Sequence, residues 1–403
     1  MKAKAQWSRR AFLQSAGYTS ALGILSGVAP WSKASVEYPR AGITTPRFAY
    51  VASSAKGING ANETAASGIH VFDVRKERWQ LKQSIVSRSP ASLALHPGQR
   101  FLYAVNGVDE YEGLPRGTVE AYMIESDGRL TLINRQPLSL SGTRPRHVAI
   151  SPDGNYLVVA IHAGGAYNVL PIAPDGMIGR VTGIFKEVGA GVRPDHQASA
   201  HPHTAAFSST GQYLLATDQG CDRVSVFTLQ NGRVSRTHLV MSRPASGPGH
   251  LAMHPTGEFL YVSNTLDGSI ACYRMHTGGI LELQHEVRAA NTSPAYTHEA
   301  EYRSALAISP SGRFLYSGAL DKGICVWKID LATGKLSLVQ PWSEDDRSLH
   351  MLIPSPDGRF LFAADHGQSE VLSLGIDANS GKLGTALTLA KTATPASLAL
   401  KYL

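Results

Sequence analysis

One sequence event recurs six times in this chain: an apolar run, a Pro/Gly turn, and a second apolar run. The turns centre on Gly98, Gly154, Gly211, Gly257, Gly312 and Gly358. The segment PASLAL that leads into the first of them, Pro90 to Leu95, recurs unchanged at Pro395 to Leu400, with no such turn after it. The continuation it lacks stands near the start, as Arg47-Phe48-Ala49-Tyr50-Val51. The final strand therefore completes the first repeat, and an array whose last strand belongs to its first unit is a closed ring.

Successive turn glycines lie 56, 57, 46, 55 and 46 residues apart. That is long for a solenoid repeat and suits a four-stranded propeller blade. Six whole turns and one split turn predict seven blades. The runs between turns, such as Val224 to Leu229 and Ile324 to Ile329, are rich in β-formers and bounded by Gly, Asn and Asp clusters, the pattern of strands joined by hairpins. Beyond the N-terminus no stretch keeps a helical period. A lone blade cannot bury both faces of its sheet, so neighbours must stack, and closure by the C-terminal strand removes an exposed edge. The expectation is an all-β, seven-bladed β-propeller over residues 47–403, one domain despite its length.

The first 34 residues read differently. Ser8-Arg9-Arg10-Ala11-Phe12-Leu13 precedes a mildly apolar stretch from Ala16 to Ala29 and the small-x-small pattern Ser32-Lys33-Ala34. This is the pattern of a twin-arginine export signal. It predicts residues 1–34 as a signal peptide, residues 35–46 as a linker, the twin-arginine export machinery as a partner of the precursor, and a periplasmic or secreted mature protein. Cleavage after Ala34 would remove Lys2, Lys4, Arg9, Arg10 and Lys33 and no acid. That leaves 33 basic against 31 acidic residues, so the formal charge falls from +7 to +2. No dense Lys/Arg stripe remains to displace counterions, which argues against nucleic acid as a partner. Nothing in the mature part is long and apolar enough to span a bilayer as a helix.

Three cysteines, Cys221, Cys272 and Cys325, would enter an oxidising compartment. Aligning the third strands of adjacent blades at Ile270 and Ile324 points Cys272 and Cys325 to opposite faces of their sheets, so a disulfide is not expected. No Cys-x-x-Cys is present, and all three read as small buried hydrophobes.

In a blade the inner strand descends from the top face to the Pro/Gly turn and the second strand returns. Residues just before the first and just after the second therefore share the mouth of the central channel. The chain places Arg146-His147, His201-Pro202-His203, Gly249-His250 and His350 at the first position, and Asn106, His162, Asp218, Asn264 and Asp365-His366 at the second. Each alone reads as a solvated loop residue or a satisfied structural histidine; recurrence at one position of several blades aims them at one shared site. Histidine can take a proton from water near neutral pH, and a nearby arginine can hold a carboxylate or a developing oxyanion. Together they suit hydrolysis of an activated ester. There is no Gly-x-Ser-x-Gly elbow to support a serine nucleophile. His201-x-His203 places two imidazoles on one face of a strand, but tight His/carboxylate ligand spacing is lacking, and neither metal nor cofactor is expected.

With the blades placed, the chain resembles the seven-bladed propeller lactonases, the family of bacterial 6-phosphogluconolactonases and carboxymuconate lactonizing enzyme. The resemblance runs from about Phe48 to Leu403. It rests on Gly117-Thr118-Val119 with Gly128-Arg129-Leu130-Thr131, on Pro145-Arg146-His147, and on Gly164-Gly165 with Val169-Leu170-Pro171-Ile172. Its most specific part is the loop with Gly189, Gly191-Val192, Pro194, Gln197, His201 and His203, closed by Asp218, Gly220 and Asp222-Arg223-Val224. The resemblance implies an exported hydrolase of a sugar lactone. His203 or His201 would activate water, Arg146 and Arg193 would hold the carboxylate, phosphate or oxyanion, and Gln197 would orient the ring. His147, His250, Asp218 and Asn264 would contact the ligand.

The second half departs from the family pattern. Pro248-Gly249-His250 stands where Pro-Arg-His is usual, Asn264-Thr265 where Asn-Glu is usual, and Ala305 and Ala307 where a Glu and a basic residue are usual. Two readings result. The intact loop from Gly189 to His203 favours a lactone hydrolase, with an unphosphorylated aldono-lactone as the better substrate because channel arginines are missing. The missing Glu and Arg favour a propeller that has lost the chemistry and binds a small ligand or a protein partner.

Overall fold

The computed structural model describes residues 46–53, 67–74, 78–288, 305–319, 323–344 and 347–402. The predicted signal peptide and nearly all of the linker lie outside the described residues. Seven four-stranded antiparallel sheets follow one another around a ring. Blade two holds β4 (Pro90–Leu95) to β7 (Leu130–Pro137), blade three β8 (Pro145–Ile150) to β11 (Gly183–Lys186), and blade four β12 (Pro202–Phe207) to β15 (Arg233–Met241). Blade five holds β16 (Pro248–Met253) to β19 (Leu281–Arg288), blade six β20 (Leu306–Ile308) to β23 (Leu336–Trp342), and blade seven β24 (Leu349–Pro354) to β27 (Leu383–Lys391).

Blade one is the composite blade. Its three outer strands are β1 (Phe48–Ser53), β2 (Gly68–Asp73) and β3 (Gln80–Val86), and its inner strand is β28 (Pro395–Lys401). In the register of β1 with β28, Ala49 faces Leu400, Tyr50 faces Ala399, Val51 faces Leu398 and Ala52 faces Ser397. The repeated PASLAL and its displaced continuation are thus partners in one sheet.

The hydrophobic core is distributed as seven layers, one between each pair of neighbouring blades. The layer between blades seven and one holds Trp79 against Phe72 and Phe362, with Leu398 and Leu400 from the closing strand. Seven layers for seven blades means that every sheet is covered on both faces. All three cysteines are free and buried. Alternation does put Cys272 and Cys325 on opposite faces of their own sheets, but in adjacent blades those faces enclose one layer, and the two thiols share it.

Four of the joints carry the same clasp. Tyr50, Tyr103, Tyr261 and Tyr316 on second strands donate hydroxyl hydrogen bonds to the carbonyls of Gly128, Gly176, Gly334 and Gly381 in the outer hairpin of the next blade, at 3.1, 3.1, 2.9 and 3.3 Å. Two residues before each tyrosine stands a phenylalanine, Phe48, Phe101, Phe259 or Phe314, whose ring fills the space that a side chain at that glycine would need.

Candidate active site

The inner strands carry the site, and all but β20 of blade six depart from regular pairing at their upper ends. In β8, Pro145 faces Ile161 and His147 faces Ala160, so Arg146 is an extra residue. In β12, His203 and Thr204 together stand opposite Thr217, and in β16 Gly249 and His250 stand opposite Ser263. Ala91, His350 and Ala396 are the extra residues of β4, β24 and β28. Such bulges interrupt the alternation of a strand and re-aim the bulged side chains. In six of the seven blades this occurs at the mouth of the channel.

In blades three to five the re-aimed groups meet. The His203 ring packs edge-on against His250, with centroids 4.8 Å apart, and against His162 at 6.4 Å. His162 in turn stacks on His201 at 4.7 Å and 14°. His201 Nδ1 donates to the His162 carbonyl at 3.1 Å; since a carbonyl only accepts, this leaves Nε2 of His201 as the acceptor nitrogen of the neutral ring. Arg146 and His147 complete the group: both lie close enough to act electrostatically on His203 and His250. His162 was legible only as one of many polar residues at the mouth; its place between His201 and His203 appears with the fold.

His203 is 1% exposed, and its Nδ1 lies 3.0 Å from Thr204 Oγ1 while Nε2 has no hydrogen-bond partner. Nδ1 of His147 is likewise buried and unpartnered. Burial, then the charge of Arg146 and the neighbouring imidazoles, hold His203 well below the ordinary histidine range. Burial and then Arg146 and His147 push His250 down to about 3. His147 is lowered to about 4 by burial, with a backbone hydrogen bond to Ala205 opposing and Arg146 reinforcing the shift. At neutral pH His147, His203 and His250 are therefore neutral imidazoles beside the Arg146 guanidinium.

The loop from Gly189 to His203 shapes this arrangement from outside, and it engages several of the expected contact residues. Gln197, expected to orient a ring, is fully buried in the short helix α1 (Pro194–Gln197). Its Oε1 accepts from the Arg193 backbone at 3.2 Å and its Nε2 donates to the Gln219 carbonyl at 2.8 Å, so both ends of the amide brace the loop. Arg193, expected to hold an anion, pairs with Asp195 at 2.7 Å on that helix. Asp218, expected to contact ligand, receives the backbone N–H groups of His201, Gly220 and Cys221 on Oδ1, at 2.8, 2.9 and 3.1 Å. It fixes the start of β12 from behind. Gly220 is required there, because a Cβ would fall on the Ser199 carbonyl. Asn264 is fully buried and donates to Ser269 Oγ at 2.8 Å, bracing its own turn. These bonds tie the side chains into the walls of the site, while Asp218 Oδ2 and Asn264 Oδ1 are buried without a hydrogen-bond partner.

In blade six the described residues at the start of the inner strand are apolar. Ala305 and Ala307 are buried in the layer against blade seven. Among the described residues no group of three or more His, Cys, Asp or Glu is placed to hold a metal ion, and no helix is long and apolar enough to cross a membrane.

The chain matches the family described as Lactonase, 7-bladed beta-propeller, over residues 49–399. It is 29% identical over 335 residues to the 6-phosphogluconolactonase of Formosa agariphila, covering 79% of this chain and 90% of that one. It is 24% identical to the 6-phosphogluconolactonase of Bacillus subtilis, over 89% of this chain and 99% of that one. Among solved structures it is similar to the periplasmic gluconolactonase of Pseudomonas aeruginosa, with a TM-score of 0.75 and 26% identity, covering 88% of this chain and 98% of that one. With seven blades closed by β28 and the family match running through all of them, this chain is a member of the seven-bladed β-propeller lactonase family.

Proposed function

We propose that the protein is an exported lactone hydrolase whose substrate is an unphosphorylated aldono-lactone. The observation that carries this reading is the convergence of Arg146, His147, His201, His203 and His250 from three consecutive blades, with His203 Nε2 buried and unpartnered among them. A lactone carbonyl beside Arg146 would gain electrostatic stabilisation of its oxygen as water adds and negative charge develops there. His203, held in its proton-accepting form, would take the proton from that water. The nascent oxyanion opposes the field of Arg146 and raises the imidazole's affinity for the proton at the step that needs it. The same proton can then go to the ring oxygen as the ester bond breaks, leaving a hydroxy acid. His201, with Nε2 as its acceptor, is the second candidate for the base.

The preference for a substrate without phosphate follows from charge. A phosphate dianion is best held by bidentate guanidinium pairs. Here Arg193 is engaged by Asp195, Gly249 stands in the place of an arginine, and Ala305 and Ala307 are apolar and buried. The likeness to a periplasmic gluconolactonase supports the same choice, and Ser8-Arg9-Arg10 supports export. Mature protein should open glucono-δ-lactone above its spontaneous rate without added metal, and His203→Ala should lower kcat by about 10² to 10⁴. No rate above the spontaneous one with gluconolactone, galactonolactone and their phosphates would overturn the reading. The missing Glu and Arg of the second half would then favour a propeller that only binds its ligand.

A further inference from the structure

The largest influences on His203 and His250 after burial, Arg146 first and then the neighbouring imidazoles, all disfavour a proton there. They come from every wall of the cluster, Arg146 and His147 from β8, His162 from the turn after β9 (Tyr156–Ile161), His201 and His203 from the start of β12, and His250 from β16. A nearby carboxylate, Asp218, has Oδ1 committed to three backbone N–H groups and Oδ2 buried without a hydrogen-bond partner, and burial disfavours its charge. Thr204 and Gln219, which bond to His203 and His162, are neutral. The electrostatic complement of such a site is an anion. We propose that the cluster is a carboxylate site that takes up one proton with its ligand, shared by the His203–His250 pair, so that a sugar acid binds more tightly as pH falls.

The geometry supplies the place for the proton. The two rings meet edge to face at 4.8 Å and 75°, an arrangement in which the positive edge of an imidazolium lies over the electron-rich face of its neutral partner. His203 Nε2 is an unpartnered buried nitrogen. A carboxylate against Arg146 neutralises the charge that opposes protonation of this pair and adds an attractive one. The sign follows by linkage. The free site binds a proton only well below pH 6.5, and the occupied site binds it at higher pH, so between those two values the ligand enters with a proton from solvent. Within that window affinity rises by up to about tenfold for each unit fall in pH, while the ligand carboxylate, with a pKa of about 3.5–4, stays ionised.

The proposal rests on the reading of this channel as a sugar-lactone site, but it does not require turnover. The test is titration calorimetry of sodium gluconate into the wild-type mature protein from pH 5.5 to 8, in two buffers of different ionisation enthalpy, with glucose as the uncharged control. We expect gluconate to bind more tightly as pH falls, with uptake approaching one proton per ligand near pH 5.5, and no such dependence for glucose. Arg146→Gln should abolish gluconate binding, and in the double substitution His203→Gln/His250→Gln whatever binding remains, weakened by the lost contacts, should take up no proton. Gluconate binding that is independent of pH, equal heats in the two buffers, or no gluconate binding at pH 5.5 would overturn the proposal, as would proton uptake surviving in the double variant. Lactone turnover in wild-type protein that lacks proton-linked gluconate binding would defeat this proposal alone; proton-linked binding without turnover would defeat the hydrolase reading alone.

Discussion

At the scale of single residues, the main consequence of the channel is that several imidazoles are held in neutral form. His147 and His250 would each bind a proton more readily in the unfolded chain, where the pKa is about 6.5, than in the fold, where it is about 4 and about 3. Stability should therefore be full above pH 6.5 and decline as pH falls towards those lower values. Replacing His250 with Asn should leave the melting temperature at pH 7.5 little changed and reduce its fall between pH 7 and pH 4.5; an acid sensitivity identical to wild type would contradict the burial argument. This is also the scale at which the sequence was least legible. Strand alternation predicts that neighbours such as Arg146 and His147 point to opposite faces, yet a bulge at that point brings both towards the same group of histidines. The hydrogen bonds by which Gln197 and Asp218 hold the backbone of their own loop could not be read from the chain alone.

At the scale of elements, the blades are joined by side chains that the repeat pattern displays without explaining. The Phe-x-Tyr pair in β1, β5 (Phe101–Asn106), β17 (Phe259–Asn264) and β21 (Phe314–Ala319) reads as an ordinary strand beginning. Only the ring shows that the tyrosine hydroxyl reaches the next blade's hairpin glycine and the phenylalanine fills the space beside it. Tyr261→Phe removes one buried hydroxyl bond and leaves the Gly334 carbonyl without that donor, and should cost about 1–2 kcal/mol. Gly334→Ala should cost more, because the residue has φ of 72° and a Cβ there would collide with Phe259 and Cys272. Chemical denaturation of the two variants checks the order; a Gly334→Ala protein as stable as wild type would show that the joint is looser than its geometry. Blade seven carries Phe360 and Phe362 at the matching positions, and its joint with blade one relies on Trp79 packed against Phe362.

At the scale of the whole molecule, architecture was the most legible property, because six spaced turns and one split repeat permit few other arrangements. Closure is also where the largest loss is expected. β28 buries Leu398 and Leu400, and Tyr402 follows it into the same layer. At about 1.5–3 kcal/mol for each large side chain, the packing alone approaches the margin of about 5–15 kcal/mol by which domains are stable. Deleting residues 396–403 should abolish cooperative unfolding or lower its midpoint sharply; a wild-type melt would contradict closure by this strand. The destination of the chain is tested separately. Replacing Arg9 and Arg10 with Lys should leave full-length precursor in the cytoplasm on fractionation, and normal amounts of mature protein outside would argue against the twin-arginine route.

Pairing of β28 with β1 also sets a clock. Among the described strands, those that begin blade one are made first and the strand that completes it is made after all the others. Six blades can assemble as they are made, but blade one keeps an unpaired inner edge throughout synthesis. A chain cut short by a premature stop or by a protease carries that open edge permanently, and chaperones or proteases can recognise it as unfinished. The closing strand thus acts as a check on how far the chain has been made: only a polypeptide extended through β28 can hide the edge of β1.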